Sequence, residues 1–371
     1  MTAYLDNAAT TRVLPCARDA ALLAMTDCFG NPGSLHGVGK AARDLLQTSR
    51  AQVAAALGCS PACITFTSGG SESTNTALRG AAHKTRRIGK HIVSTAVEHE
   101  ATLNTLRQLQ QEGYEVTLIQ PERDGNVLAE KVIAAFREDT VLLSMMAVCN
   151  ETGAVLPVAE CAAALKRIQP GALVHVDAVQ AFCKIPLDLQ NVDLMSLSAH
   201  KIGGVKGVGA LYVKNGLALR PLIYGGGQEN GLRSGTEPLP QIAAFGAAAE
   251  CRSRNFAADR AHMTALRESL MAWAKEQGFS LQTPDVGAPH IVNLSPKVGR
   301  SEVYIRALSD KGICVSGGSA CARGKQSHVL SAMRVDKKAL DAALRVSLCP
   351  ETTEEEITAF CTALLETMRL F

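Results

Sequence analysis

Asp193-Leu-Met-Ser-Leu-Ser-Ala-His-Lys201-Ile-Gly-Gly-Val-Lys-Gly-Val-Gly-Ala-Leu-Tyr-Val213 is the stretch around which the chain is organised. It reads as a short apolar strand, a polar knot at Ser198-Ala199-His200-Lys201, a glycine-rich turn and a second apolar strand. A lysine at the mouth of an apolar strand is partly desolvated, which lowers its pKa. The neutral amine is then a nucleophile able to form a Schiff base with an aldehyde. Ser198 and His200 beside it can bind an anion. Together these parts suit an aldehyde cofactor carrying a phosphate, such as pyridoxal phosphate. The same letters also fit a surface lysine at a strand end with a hydrophobic hairpin behind it. The glycines do not make a P-loop, because no Lys-Ser/Thr closes the run.

Working outward, the chain alternates. Ile64–Thr67, His91–Ala96, Tyr114–Ile119, Val141–Val148 and Leu173–Val176 have the length and bounds of strands. Helical spacing precedes them at 15–28 and 38–57, and separates them at 98–112, 128–138 and 158–168. Such alternation gives an α/β fold with a mostly parallel central sheet flanked by helices. Ligands in such folds bind at the carboxyl ends of the strands. Helical patterns return at 238–254 and 258–277. After Gly278, strands are expected at 279–283, 290–295, 313–316 and 344–348, mixed with helices at 301–311 and 353–370. The expected division is a large unit at 13–255 and a smaller α+β unit built from 1–12 and 256–371. The last helix opens with threonine and a glutamate three residues on, which suits a capping box.

The polar outliers cluster at the ends of those strands. Ser68-Gly69-Gly70-Ser71 links a strand to a helix, where free N–H groups attract anions; a plain N-cap explains the same letters. His99 follows a strand and can stack on a flat ring, or simply cap its own helix. Asn150 can donate to a phenolic oxygen, yet Asn150-Glu-Thr-Gly153 is also a good turn. Asp177 ends a fully apolar strand and needs a partner there; a pyridinium N–H is one, a helix N-terminus another. Gln180 lies one turn on and can reach the same ring's oxygen. Gly225 to Thr236 is glycine-rich with hydroxyls and Arg233, fit to close over a phosphate or to be a surface loop. Arg345 in an apolar strand calls for a carboxylate, either the protein's own or a substrate's. Cys321 lies in a small-residue loop beside Arg323 and Lys325, cations that favour its thiolate.

Bulk composition excludes several classes. The 371 residues are 47% hydrophobic and 20% charged, ordinary for a globular chain long enough for two domains. A formal net charge of +3 and 4% aromatics argue against nucleic acid or an anionic membrane as partner. The N-terminus lacks the apolar core of a signal peptide, so a cytoplasmic location is expected. The 12 cysteines form no C-x-x-C pair, and no metal site is expected.

Laid side by side, these residues resemble the cysteine desulfurases of the NifS/IscS type, class V aminotransferase-like enzymes of pyridoxal phosphate. The resemblance covers nearly the whole chain. It rests on Tyr4-Leu-Asp-Asn-Ala-Ala-Thr-Thr11, Asn31-Pro32 with Ser34 and His36, Thr67-Ser-Gly-Gly-Ser-Glu-Ser73, Glu98-His99, Asn150-Glu-Thr-Gly153, Asp177-Ala-Val-Gln180, Ser198-Ala-His-Lys201, Arg233-Ser-Gly-Thr236 and Gly318-Ser-Ala-Cys321. It implies that Lys201 carries the cofactor as a Schiff base and shuttles the Cα proton. Asp177 would pair with the ring nitrogen, Gln180 and Asn150 with the ring oxygen, and His99 would stack on the ring and take part in proton transfer. Gly70, Ser71, Ser198 and His200 would hold the phosphate, with Thr236 reaching in from the partner of a homodimer. Arg345 would clamp the carboxylate of L-cysteine, and Cys321 would take the sulfur as a persulfide for a sulfur-acceptor or iron–sulfur scaffold protein, in cluster assembly or thiolation. Ser71 stands where the family usually has Thr, Thr74 replaces an Asn, and Cys349 a Gly. The loop after Cys321 is slightly shorter than in the housekeeping enzymes. A selenocysteine lyase or another class V enzyme is the alternative, and a non-catalytic sulfur-pathway scaffold a more distant one. An aminotransferase would need no Cys321.

Overall fold

The computed structural model describes residues 2–317 and 326–369. Chain order begins with β1 (Ala3–Tyr4), α1 (Pro15–Thr26) and α2 (Gly37–Leu57). Then come β2 (Ile64–Thr67), α3 (Gly70–Thr85), β3 (His91–Thr95), α4 (Glu100–Gln111), β4 (Glu115–Ile119), α5 (Ala129–Ala134), β5 (Thr140–Met146), α6 (Val158–Ile168) and β6 (Leu173–Asp177). The opening stretch of the sequence supplies β7 (Leu194–Ser198), a 3-10 turn at Ala199–Lys201 and β8 (Gly209–Val213). After α7 (Leu239–Arg254) and α8 (Phe256–Glu276) follow β9 (Ser280–Leu281), β10 (Ile291–Ser295), α9 (Ser301–Asp310), β11 (Ile313–Cys314) and β12 (Ser316–Gly317). Then α10 (His328–Ala332), α11 (Lys337–Ala342), β13 (Leu344–Ser347) and α12 (Glu354–Met368) complete the described chain.

Strands β2 to β8 form one sheet in the order β2-β8-β7-β6-β5-β3-β4. Pairings from β4 through β7 are parallel, and β8 runs antiparallel to both its neighbours. The inner strands β3, β5, β6 and β7 are buried at every residue, whereas the edge strand β4 is largely open. This explains why the inner strands read as continuous apolar runs and not as alternation: both faces are covered. On one face Leu78, Leu106 and Leu109 of α3 and α4 pack against Ile92, Leu142 and Leu211. On the other, α2, α6 and α7 close a larger core around Val53, Leu165, Val174, Leu197 and Phe245.

A separate core lies under α8, α9 and α12, where Leu5, Leu270, Tyr304, Leu344 and Phe360 meet. Its sheet is antiparallel, ordered β12-β13-β10-β9. The N-terminal arm lies against it: β1 pairs in parallel with β11, and Asp6 bridges to Ser347. These separate cores support the division we propose, residues 13–255 against 1–12 with 256–371. The segment around Val329, Leu330 and Met333 nonetheless packs into the larger core. The capping box is present, with Thr353 and Glu356 each accepting the other's backbone N–H.

Two local expectations change. The strand read at 313–316 is two strands in different sheets, since Ile313–Cys314 pairs with β1 and Ser316–Gly317 with β13. Pairing partners are not visible in so short a run. The sequence also gave no sign of α10 and α11, whose five and six residues are too few to show a helical period. No helix of the described residues is long and apolar enough to cross a membrane.

Candidate active site

The carboxyl ends of β5, β6 and β7 deliver Met146, Asp177 and Ser198 to one cavity of about 370 Å³. The N-termini of α3 and α4 close it, bringing Gly70, Ser71 and His99. This is where a mostly parallel sheet leaves room for a ligand.

Lys201 sits in the turn after β7, held by the N-terminal arm. Its Nζ donates to the carbonyls of Ala8 at 2.6 Å and Ala9 at 2.8 Å. The arm is fastened in turn: Thr11 N–H donates to the His200 carbonyl at 2.9 Å, and Thr11 Oγ1 accepts from Gly203 N–H at 2.8 Å. Gly203 has φ +91, and a Cβ there would stand 2.5 Å from Leu14 Cγ, so only glycine lets the arm pass. His200 Nδ1 meets Thr10 Oγ1 at 3.1 Å. Burial, followed by the charges of Lys201, Lys206 and Lys184, pushes His200 down to about 4. Its ring is therefore neutral near pH 7 and offers a hydrogen bond, not a charge.

Asp177 lines the same cavity as Lys201. Burial raises its carboxyl pKa, opposed by His99, by the Val179 N–H that Oδ1 accepts at 3.0 Å, and by Lys201. A buried N–H donor bound above it would favour the carboxylate. His99 is the N-cap of α4, its Nδ1 accepting from Ala101 N–H at 3.1 Å. A neutral ring then carries its proton on Nε2. At the other end, Gly70 opens α3. A Cβ at Gly70 would approach Val179 Cγ2 to 2.7 Å and Ser198 Cβ to 3.7 Å. The bare backbone there, with Ser71, Ser198 and neutral His200, makes a cradle of N–H and O–H donors at a helix N-terminus.

Arg345 is fully buried on β13 and lines the same cavity. Its guanidinium donates to Asp6 Oδ1 at 2.9 Å and to the Asn150 carbonyl at 3.0 Å. Its Nε has no partner among the described residues. Two buried acids belong to the wall, Glu151 lining the cavity and Glu98 behind it. Burial lifts Glu98 to about 8 and Glu151 to about 7.

The family model for class-V aminotransferases matches residues 3–360. The chain belongs to the class-V aminotransferase family. Among relatives of this class-V chain, a cysteine desulfurase of Nostoc sp. is 40% identical over 366 residues, covering 95% of this chain and 90% of the relative. The cysteine desulfurase IscS of Serratia proteamaculans is 41% identical over 365 residues, with 95% and 89% covered. A solved NifS-like protein superposes with a TM-score of 0.94 at 37% identity over the full length of both chains. A structure described as SspA in complex with cysteine gives 0.82 at 32% identity, covering 95% of this chain and all of the other.

Of the residues singled out in the sequence, Gly70, Ser71, His99, Asn150, Asp177, Gln180, Ser198, His200, Lys201 and Arg345 all line this one class-V cavity. Thr236 does not line it; it is exposed on the segment after the 3-10 turn Glu229–Gly231. Cys321, Arg323 and Lys325 lie outside the described residues. Arg233, in the loop read as closing over a phosphate or as surface, pairs with Glu72 at 3.0 Å. Glu72 also accepts Ser68 N–H at 2.8 Å, so that pair ties the glycine-rich segment to the start of α3. Glu229 anchors the same segment from below, taking both Arg50 nitrogens at 2.7 Å and Phe66 N–H at 2.8 Å.

Sequence reading missed Glu229, Ser327, His328 and Lys184. Ser327 donates to Glu151 and His328 Nε2 meets the Glu98 carbonyl at 2.9 Å, joining α10 to the cavity wall. The available signal was position: Ser327 and His328 follow the Cys321 loop closely, and Lys184 lies one helical turn beyond Gln180.

Proposed function

We propose that this protein is a pyridoxal phosphate-dependent cysteine desulfurase that takes sulfur from L-cysteine and releases L-alanine. The observation that carries the reading is the one cavity lined by Lys201, Asp177 and the Gly70 cradle, in a chain of which 95% is matched by cysteine desulfurases. The residues fit the cofactor. An amine suits its aldehyde, a buried carboxylate its ring N–H, and a bare helix N-terminus its phosphate. Bound there, the cofactor would supply an electron sink that labilises the substrate Cα proton.

The chain's own groups do the rest. Asp177 would stay ionised against the ring N–H and keep it protonated. His99 would stack on the ring and take part in proton transfer, while Gln180 and Asn150 would meet the ring oxygen. Ser71, Ser198 and His200 would hold the phosphate, with Thr236 reaching in from the second copy of a homodimer. Lys201 takes the Cα proton and returns one to carbon. Arg345 receives the substrate carboxylate beside Asp6. The Cys321 thiolate would attack the substrate sulfur; an S–S bond forms on the enzyme as the C–S bond breaks, its electron pair goes to Cβ, and the proton given up by the substrate thiol ends on that carbon. L-cysteine and thiol thus become L-alanine and persulfide, with no outside oxidant or reductant. The persulfide sulfur would pass to an acceptor protein serving iron–sulfur assembly or thiolation in the cytoplasm.

The test is intact-protein mass spectrometry after brief exposure to L-cysteine without reductant, on wild type and Cys321→Ala, with alanine assayed in parallel. A sulfur adduct on wild type alone, accompanied by alanine, is expected. Full sulfur release by Cys321→Ala would remove the persulfide role. Bound cofactor with neither adduct nor alanine would send the search to another substrate.

A further inference from the structure

Lys184 takes no part in the reaction above, yet it stands directly behind the residues that do. It lies in the turn after Asp177 and is only 7% exposed. Lysines this buried are rare unless an acid pairs with them. Among the described residues no carboxylate lies within ion-pair distance of Lys184. Its Nζ instead donates to Gln180 Oε1 at 3.4 Å. The charged and titratable groups around it are Lys201, Cys183, Arg252 of α7, Cys349 after β13 and His290 before β10. Asp259 of α8 is held by Arg252 at 3.5 Å. Burial, then the positive charge of Lys201, pushes the Lys184 amine down to about 7, so it sheds its charge near neutral pH.

Gln180 joins this lysine to the cavity. Its Nε2 donates to the Ala8 carbonyl at 2.9 Å, the carbonyl that also receives Lys201 Nζ. Its Oε1 receives Lys184 and, at 3.3 Å, His290 Nε2. Burial and the surrounding cations hold His290 well below its ordinary pKa, so its ring is neutral. With Nδ1 unpartnered among the described residues, the single ring proton belongs on Nε2, toward Gln180. Turning the amide over would set Oε1 against the Ala8 oxygen and NH2 against two donors. The second N–H is then what Gln180 can present to the cavity it lines.

We propose that Lys184, with His290, is a positioning residue of the cofactor site: it holds Gln180 so that an N–H, and not a carbonyl oxygen, faces the ring oxygen of bound pyridoxal phosphate. This rests on the functional reading above. A donor to that oxygen favours its anionic form, so weakening the donor raises the pH at which the bound cofactor changes colour.

The test is a pH titration of the visible absorbance of the holoenzyme for wild type, Lys184→Met and Lys184→Gln, with melting temperature in parallel. In Lys184→Met the midpoint is expected to rise by about half a pH unit, the size of one weakened hydrogen bond. Lys184→Gln keeps an N–H donor and returns the midpoint toward wild type. Methionine replaces a desolvated amine by an apolar chain of similar shape, so that variant retains the fold. Equal midpoints in all three proteins overturn the inference, as does a fall in melting temperature without any movement of the midpoint. A wild type that takes up no cofactor overturns the functional reading, and this inference with it, before any substitution is compared.

Discussion

Replacing Glu98 by glutamine should stabilise the protein in mildly alkaline solution and leave its stability almost unchanged in acid. Glu98 is wholly buried in the link between β3 and α4, and its Oε1 accepts from Thr95 Oγ1 at 2.7 Å and Met146 N–H at 3.0 Å. Its Oε2 meets no partner among the described residues. Burial, reinforced by the nearby Asp177 charge and only partly offset by those hydrogen bonds, lifts it from an ordinary 4.5 to about 8. The folded chain therefore binds this proton more tightly than the unfolded chain does. Stability from it is complete below the unfolded value and drains away as pH rises through the window from 4.5 to about 8. At 1.36 kcal/mol per unit, the ceiling is about 5 kcal/mol, and relaxation around a buried charge should reduce the measured effect to roughly 2–4 kcal/mol.

Glutamine imitates the protonated acid: its oxygen keeps both Oε1 contacts, and its NH2 stands where the acid carries O–H. The assay is denaturant unfolding of both proteins at about pH 5 and about pH 8.5, taking the difference between them at each pH. Other buried titrating groups, His175 and His290 among them, cancel in that difference. An advantage of Glu98→Gln that is the same at both pH values, or a wild type that is the more stable one in alkali, would refute the reasoning.

Glu229→Gln should cost about 3–5 kcal/mol, because it strands the buried Arg50 guanidinium; unfolding of Arg50→Met, Glu229→Met and their double variant should show the double recovering much of that loss. Gly70→Ala should lower cofactor affinity about tenfold or more while shifting apoprotein stability far less, because its Cβ must displace Val179 before a phosphate can approach; equilibrium dialysis against pyridoxal phosphate measures it. His175, wedged between Ser144 and Ser196 at 2.9 Å each, is pushed down by burial to about 3. It binds its proton less tightly folded than unfolded, so stability should fall as pH drops from about 6.5 toward 3, and His175→Gln should flatten that slope in acid unfolding curves.

Much of this molecule was legible before any coordinates. Apolar runs such as Val141–Val148 and Leu173–Val176 can be nothing but inner strands when helices alternate with them, since a run with no polar face must be covered on both sides. Asp177, Ser198 and Lys201 stood out because polar groups at the end of an apolar strand need a reason to be there. Spacing along the chain fixed their order, and the carboxyl-end rule placed them together.

What the sequence could not show were contacts between distant segments. Nothing in Asp6-Asn-Ala-Ala-Thr-Thr11 says that its carbonyls hold Lys201, or that Asp6 meets Arg345. The reading of Arg345 named the protein's own carboxylate or a substrate's, and tertiary structure shows Asp6 as one partner. The loop carrying Arg233 could be read as closing over a phosphate or as plain surface, and only in space does Arg233 meet Glu72. Lys184 was not singled out in the sequence, and only packing revealed it behind Gln180. Sequence alone determined the mostly parallel sheet, its alternation with helices and the residue types gathered at the strand ends, because those follow from local periodicity and burial. Tertiary structure decided which charges are paired and which amide faces which way, because a hydrogen bond depends on distance and angle between groups that the chain's order does not bring together.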